Sequence, residues 1–262
     1  MRKFTLLLLL FVFSFSMLTM SQKKMFVHKS DGTTVEFLLS EVDSIVIEKP
    51  LDANGREYVD LGLPSGTLWA TCNVGAISPE GYGYYFGWGE RVPKDDYYWY
   101  SYTWILYGYY NELGINKYTI PDGWLEGIWY ENGNFVGDNK RSLELIDDAG
   151  HRYWGGDWRM PTMEERDELH YHCKSYWETL NGVNGVRFVG PNGNSIFLPA
   201  AGNYSRDEVQ YKGEEGHYWT RTLSNGNTTN ALGFAFDSSS TELVSYTARY
   251  LGASIRPVLR RD

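Results

Sequence analysis

After a largely apolar start, polar and apolar residues alternate within residues 22–50. Val35, Phe37 and Leu39 recur at every second position, which is the spacing of a half-buried β-strand. The Asp31-Gly32 pair just before them predicts a hairpin turn, because this dipeptide tolerates positive φ. Residues 22–50 are therefore predicted to form a small β unit, which cannot bury a core by itself.

Residues 51–262 show short apolar segments separated by glycine-rich turns, the pattern of a domain built from many strands. A strand interrupted by glycines is predicted over the aromatic segment 82–90. Further strands are predicted at 68–72, 185–189, 195–198, 217–223, 231–236, 242–246 and 254–259.

Two helices are predicted within this strand-rich region. One covers Ser142 to about Tyr153 and stops at a Gly-Gly pair. The other begins after Thr162, which forms a capping box with Glu165. Leu169, Cys173 and Trp177 recur at i, i+4 and i+8, so this helix is predicted to continue to Trp177 and to turn one face to the core.

The stretch 92–140 has many aromatic residues and no regular period. So many rings argue against disorder, and a long irregular segment in a compact domain is usually functional. The rings could form a local aromatic core, or they could face water and stack on sugars or anchor a protein partner. The candidate ligand-binding residues are Tyr97, Tyr98, Trp99, Tyr100, Trp104, Tyr107, Trp124 and Trp129.

The first 21 residues have the composition of a secretory signal peptide. Arg2 and Lys3 form a basic start, and the following run to Met20 carries no charge. A signal anchor is the alternative, although serine and threonine dilute the run. The first cysteine is Cys72, so a lipoprotein signal is not expected. We expect an exported protein at an extracellular, periplasmic or outer-surface location, with no transmembrane segment after signal removal.

The charge of the chain indicates which classes of partner to expect. The chain has 24 Lys and Arg against 33 Asp and Glu, with a formal net charge of −9. Nucleic-acid binding is not expected, because it needs clustered basic residues that the sequence does not show. The expected partner is a glycan or a protein at the cell surface.

Six segments together resemble a known family. They are VDLGLPSGTLWATCNVGA (59–76), YYFGWGE (84–90), WRMPTMEERDEL (158–169), SIFLPAAG (195–202), HYWT (217–220) and SIRPV (254–258). In this order they are similar to the Fibrobacter major paralogous domain family, secreted proteins of gut-type Bacteroidetes and Fibrobacter. The resemblance implies an α+β, C-type-lectin-like fold shared with sulfatase-modifying factors, in which two helices flank curled antiparallel sheets. It implies no established activity.

The two cysteines, Cys72 and Cys173, leave three alternatives: a structural disulfide, a reactive thiol pair or two buried thiols. Both are predicted on apolar faces, and export makes a disulfide permissible, so a Cys72–Cys173 disulfide is expected. No cysteine follows Cys173, so the oxidation chemistry of the sulfatase-modifying enzymes does not carry over.

No cofactor motif is found. His170 and His172 point apart on the predicted helix and cannot share one ion. A structural calcium ion is left open, although the Glu-Pro-Asn and Trp-Asn-Asp signatures of sugar-binding C-type lectins are absent. The sequence also lacks a nucleophile elbow, a P-loop and a dinucleotide fingerprint.

Three functions remain open at this stage. The first is a secreted, non-enzymatic recognition or adhesion domain that binds through the aromatic stretch. The second is a structural subunit of a surface assembly, to which the 22–50 unit would add strands. The third is a polysaccharide-acting enzyme with Glu90 or Asp147 and Asp148 as acid candidates, which requires two facing carboxyls about 5–10 Å apart.

Overall fold

The computed structural model describes residues 23–28, 32–42, 50–107, 113–121, 129–240 and 243–260. The signal peptide expected at residues 1–21 lies outside these residues. The chain divides into two compact units, Met1–Lys49 and Pro50–Asp262. No helix in the described ranges is both long and apolar enough to span a membrane.

Short strands make up most of the regular structure. The strands are β1 Lys24–His28, β2 Thr34–Leu38, β3 Tyr58–Asp60, β4 Thr67–Ala70, β5 Ile105–Tyr107, β6 Leu113–Ile115, β7 Tyr130–Glu131, β8 Asn134–Phe135, β9 Lys174–Leu180, β10 Val183–Val189, β11 Ser195–Pro199, β12 Asn203–Ser205, β13 Glu208–Gln210, β14 Glu215–Leu223, β15 Asn230–Asp237, β16 Leu243–Ala248 and β17 Val258–Arg260. The helices are α1 Ala149–Trp154 and α2 Met163–His172, with 3-10 turns at Leu39–Glu41, Trp99–Ser101 and Leu145–Asp147.

The first unit contains the expected hairpin. Strands β1 and β2 pair antiparallel, with Val27 opposite Val35. Leu39 does not continue the strand, because the chain turns there into a 3-10 helix. Residues 43–49 of the predicted β unit lie outside the described residues.

Three three-stranded antiparallel sheets form the framework of the second unit. Their strand orders are β11-β10-β9, β14-β15-β16 and β17-β4-β3, and three two-stranded hairpins, β5-β6, β7-β8 and β12-β13, accompany them. Together with α1 and α2 this is an α+β architecture of mainly antiparallel sheets with two helices, which confirms the sequence-based expectation at this level.

The capping box predicted for α2 is present. The Thr162 side chain accepts from the Glu165 backbone N–H at 3.2 Å, and the Glu165 carboxylate accepts from the Thr162 N–H at 2.9 Å. The helix ends at His172, however, and Trp177 lies on β9. The predicted extension was wrong because apolar residues at i+4 and i+8 can also continue into a strand that packs on the same core.

Two further elements differ from the sequence-based prediction. The helix predicted from Ser142 begins only at Ala149, because a 3-10 turn at Leu145–Asp147 precedes it. Residues 82–90 form no strand but a loop with a single bridge between Phe86 and Ala253. Gly83 and Gly89 there have φ of 73° and 79°, which breaks the extended conformation.

The core of the second unit consists of two clusters. One surrounds Trp88, Trp158 and Trp219, and the other surrounds Trp69 and Tyr218. All four tryptophans are at most 1% exposed and lie in the segments that carry the family resemblance. These segments therefore build the interior of the protein.

Arg249 and Arg256 are fully buried, and neither has a carboxylate partner among the described residues. Arg256 donates to the Asn73 side chain at 3.0 Å and to the backbone oxygens of Ala70, Thr71 and Phe197 at 2.8–3.1 Å. Burial lowers the pKa of this guanidinium. Neutral oxygens therefore satisfy the charge, and Arg256 joins the chain end to the segment around Asn73.

Candidate functional site

The aromatic stretch 92–140 divides into interior and surface rings. Tyr97, Tyr102 and Tyr118 are at most 2% exposed. The Tyr97 hydroxyl donates to the Tyr85 carbonyl at 2.5 Å, and Tyr102 donates to the Trp88 carbonyl at 2.6 Å. Tyr97 was therefore wrongly predicted to contact a ligand: its ring is interior, and burial is tolerated because the hydroxyl has an acceptor.

Trp104 and Trp129 are partly buried and tied to the backbone. The Trp104 indole N–H donates to the Gly89 carbonyl at 3.2 Å, and its ring stands edge-on to Tyr118. The Trp129 indole N–H donates to the Ile115 carbonyl at 2.6 Å. Trp104 thus belongs to a local aromatic core, which was one of the two alternatives for this stretch, and Trp129 is anchored to strand β6.

Two other candidates cannot be placed in the same way. Tyr107 ends strand β5, and its side chain lies outside the described part of the structure. Trp124 lies outside the described residues altogether.

The remaining candidates, Tyr98, Trp99 and Tyr100, come together at the surface with Tyr250. We call these four residues the ring cluster. The Tyr98 centroid lies 5.4 Å from Tyr100 and 5.9 Å from Tyr250, and the Trp99 centroid lies 4.8 Å from Tyr250. Tyr100 is 63% exposed, and the other three are half-buried. The cluster thus presents aromatic surface to solvent while its inner rings are packed.

A 3-10 turn at Trp99–Ser101 sets the geometry of the cluster from one side. The Ser101 hydroxyl accepts from the Tyr98 N–H at 3.1 Å and donates to the Asp96 carbonyl at 2.7 Å. Beneath it, the buried Tyr97 ring packs on Tyr204 with a centroid distance of 4.9 Å. The exposed rings therefore stand on a support that is fixed by hydrogen bonds and packing.

Arg249 fixes the cluster from the other side. This buried residue precedes Tyr250, and its guanidinium donates to the Tyr102 hydroxyl at 2.9 Å and to the Lys117 and Tyr118 carbonyls. It also lies 4.7 Å from the Trp88 ring centroid, in a cation–π contact. Burial lowers the pKa of Arg249. The turn that carries Tyr250 is thus tied to the aromatic core.

One exposed cation borders the ring cluster. The Arg206 guanidinium lies 5.0 Å from the Tyr98 ring centroid, and its backbone exchanges hydrogen bonds with Tyr97 at 2.7 and 2.9 Å. Arg206 opens the two-residue turn between β12 and β13 and has a φ of 57°. Burial and the neighbouring Tyr98 raise the pKa of Tyr250, so its hydroxyl stays protonated at neutral pH.

Sequence reasoning missed Tyr250 and Arg206. Neither lies in the aromatic stretch, and both reach the cluster through turns between strands. No periodicity in the sequence marks these positions. Only the tertiary structure brings them to Tyr98.

The acid candidates Glu90, Asp147 and Asp148 all have internal partners. Glu90 is buried, contacts the Lys94 ammonium at 2.8 Å and accepts from the Thr103 N–H at 2.8 Å. Asp147 accepts from the Lys117 ammonium and from a buried tyrosine hydroxyl, each at 2.5 Å. These contacts assign both carboxylates to holding the loops around the aromatic core.

Asp148 caps helix α1. It accepts from the backbone N–H groups of His151 at 3.1 Å and Met160 at 3.0 Å. Burial raises the pKa of this carboxyl. The raised pKa follows from the burial of a helix-capping side chain, so it does not by itself indicate catalysis.

The expected disulfide is not formed. Cys72 and Cys173 are both free, and they pack against different core clusters. The Cys72 thiol donates to the Ala76 carbonyl at 3.3 Å. Burial raises the pKa of Cys72, and it raises the pKa of Cys173 to about 11. The prediction was wrong because two cysteines on apolar faces need not be neighbours. Both are half-buried packing residues with little thiolate character.

A search of the described residues finds no group of three His, Cys, Asp or Glu side chains placed to hold a metal ion. His170 and His172 lie in the last turn of α2.

Comparisons of the chain with protein-family models, with curated proteins and with solved structures each find no match.

Proposed function

We propose that this protein is an exported, non-enzymatic recognition domain that binds glycan at the cell surface through the ring cluster. The observation that carries the proposal is the half-open group of Tyr98, Trp99, Tyr100 and Tyr250 on a buried support. Export is inferred from the N-terminal sequence pattern. A C-type-lectin-like fold is inferred from the six sequence segments, and the antiparallel sheets with two helices are compatible with it.

Tyrosine and tryptophan suit a sugar ligand for a physical reason. Each ring offers a flat apolar face for the C–H face of a sugar ring, and each has a polar atom at its edge for the sugar hydroxyls. Tyr100 supplies most of the accessible face. The Arg206 guanidinium beside Tyr98 adds hydrogen-bond donors at the edge of the cluster.

Preorganisation strengthens the proposal. Binding is weakened when side chains must be ordered, at a cost of about 0.5–1.5 kcal/mol for each rotamer-rich side chain. Here Trp99 is already packed on Tyr250 and on the buried Tyr102 ring, at centroid distances of 4.8 and 5.8 Å. The inner rings therefore require little ordering when a ligand stacks on the outer ones.

A glycan array with matched double variants tests the proposal. The test variant is Tyr98→Ala/Tyr100→Ala, and the control is Tyr171→Ala/Tyr176→Ala, which removes two exposed tyrosines on α2 and β9. We expect the wild type and the control to bind the same glycans and the test variant to lose them. Binding of no glycan by the wild type, or equal binding by the test variant, contradicts the proposal.

A further inference from the structure

An open depression of about 340 Å³ lies beside helix α1, and it shares no residue with the ring cluster. Its lining consists of Arg91, Leu145, Ile146, His151 and Arg152. Two cations, an imidazole and two aliphatic side chains thus meet at one concave site. The depression is thus a site separate from the one proposed to bind glycan.

The two guanidinium groups have no carboxylate partner among the described residues. Arg91 and Arg152 are both exposed. Their acidic neighbours in sequence are occupied elsewhere, because Glu90 pairs with Lys94 and Asp148 caps α1. In a chain of net charge −9, the two cations of this lining are therefore left to attract an anion.

Two apolar side chains lie in the same lining. Leu145 and Ile146 are 44% and 63% exposed, although residues of this type usually lie inside. The 3-10 turn that presents them is closed by a hydrogen bond from the Asp148 N–H to the Leu145 carbonyl at 3.2 Å. The apolar pair is thus held on a defined turn beside the cations.

His151 completes the lining with a fixed ring orientation. Its Nδ1 lies 3.2 Å from the Trp158 carbonyl oxygen. A carbonyl only accepts, so Nδ1 carries the hydrogen and Nε2 is the nitrogen left for another partner. No hydrogen bond from Nε2 is found among the described residues.

We propose that this depression binds a carboxylate joined to a small aliphatic group. The carboxylate is placed on Arg91 and Arg152, whose planar forks match two carboxylate oxygens, and the aliphatic group is placed on Leu145 and Ile146. The volume is near the lower end of the range for ligand sites, so one amino-acid-sized group fits. The aliphatic lining favours a branched aliphatic chain over a sugar ring.

This chemistry has two sources, a free branched-chain carboxylic acid and the C-terminal residue of a peptide. Titrations of the full-length protein with isocaproate and with N-acetyl-leucine, followed in proton–nitrogen correlation spectra, distinguish them. N-acetyl-leucinamide is the neutral control. We expect shifts at residues 91 and 145–152 with both acids, and about tenfold weaker binding or none with the amide. Equal affinity of the two acids identifies a free acid as sufficient, and tighter binding of N-acetyl-leucine identifies the peptide end.

Substitutions test the assignment of each group. Arg91→Gln and Arg152→Gln are each expected to weaken binding of either acid about tenfold, because a charge-assisted bond is lost. Lys174→Gln removes an exposed cation outside the lining and should leave binding unchanged. Ile146→Ser should weaken the acids severalfold while leaving the salt dependence intact.

The unfolding midpoints of these surface variants should equal that of the wild type, so a loss of binding is not a loss of folding. The proposal is overturned by the absence of shifts at residues 145–152. It is equally overturned by unchanged affinity in both arginine variants, or by equal affinity for the amide and the acid.

Discussion

The ring of Trp99 packs on the ring of Tyr250 at a centroid distance of 4.8 Å, although the two residues come from distant parts of the chain. Trp99 lies in a 3-10 turn, and Tyr250 follows strand β16. The neighbouring residue Arg249 holds Tyr250 in place for this contact, because its guanidinium donates a hydrogen bond to the buried Tyr102 hydroxyl. The exposed ring cluster therefore depends on interior groups that never meet a ligand.

Gly252 tests this dependence on the interior. A Cβ at this position would lie 2.7 Å from the Tyr204 Cβ and 2.8 Å from the Tyr97 Cε1. We expect Gly252→Ala to lower the free energy of unfolding by about 2–3 kcal/mol, because two packed residues must shift. Chemical denaturation measures this loss.

Gly193→Ala is the control for the glycine substitution. Gly193 has open space around it and a φ of 85°, so alanine there meets only backbone strain of about 1–2 kcal/mol. Equal losses in the two variants would show that the packing of Tyr97 and Tyr204 against Gly252 is unimportant.

Arg256 is expected to be one of the most sensitive residues in the protein. Arg256→Met removes the guanidinium and leaves the Asn73 side chain and three backbone oxygens without their donor. We expect a loss of about 3 kcal/mol or more in the free energy of unfolding. The same substitution at the exposed Arg141 should cost less than about 0.5 kcal/mol. A small effect at Arg256 would contradict the role assigned to this residue.

Local signals in the sequence were sufficient for several elements of the fold. The capping box of α2 was predicted because Thr162 and Glu165 interact within one turn. The strands β10, β11, β14 and β15 were located because their apolar runs are bounded by turns. The end of α2 was not predicted, since Cys173 and Trp177 keep the apolar spacing while the chain changes from helix to strand.

Glu165 is expected to make stability depend on pH. Burial acts to raise the pKa of this carboxyl, but the Arg159 guanidinium, at 2.6 Å, holds it below its usual value. A carboxyl with a lowered pKa in the folded state contributes stability above its unfolded pKa of about 4.3, and the contribution is lost as the pH falls through the folded pKa.

Glu165→Gln measures that contribution. We expect the substitution to cost about 2 kcal/mol at pH 7, since a bond to a charged group is lost. The difference between wild type and variant should shrink as the pH falls below about 4.3, because the carboxyl of the unfolded wild-type chain takes up a proton there before the folded one does. Urea denaturation across this range checks it. A difference that stays constant from pH 7 to pH 3 would contradict the ion-pair assignment.

The free thiols lead to a chemical prediction. The intact mass of the native protein should correspond to two cysteine thiols, and denatured protein should take up two equivalents of an alkylating reagent without prior reduction. Native protein should react slowly, because burial raises the pKa of both thiols. A mass lower by two hydrogens, with an unfolding midpoint that falls on reduction, would restore the disulfide between Cys72 and Cys173.

The candidate site was only partly accessible from the sequence. The composition of 92–140 indicated that rings matter there, but composition does not decide which rings find hydrogen-bond acceptors inside. Tyr97 can be buried because the Tyr85 carbonyl accepts from its hydroxyl, whereas Tyr100, three residues further along in a turn, stays exposed. Tyr250 could not be predicted, because its place in the cluster follows from long-range strand pairing.

The affinity of the ring cluster for a sugar decides whether this surface recognises glycan. The measurement is calorimetric titration of the best glycan from the array into wild type, Tyr100→Ala and the control Tyr171→Ala, whose tyrosine is 76% exposed on α2. We expect about fivefold or greater loss of affinity for Tyr100→Ala, since truncation of an important interface residue costs more than about 1 kcal/mol, and no change for Tyr171→Ala. Equal dissociation constants for the wild type and Tyr100→Ala would contradict glycan recognition by this surface.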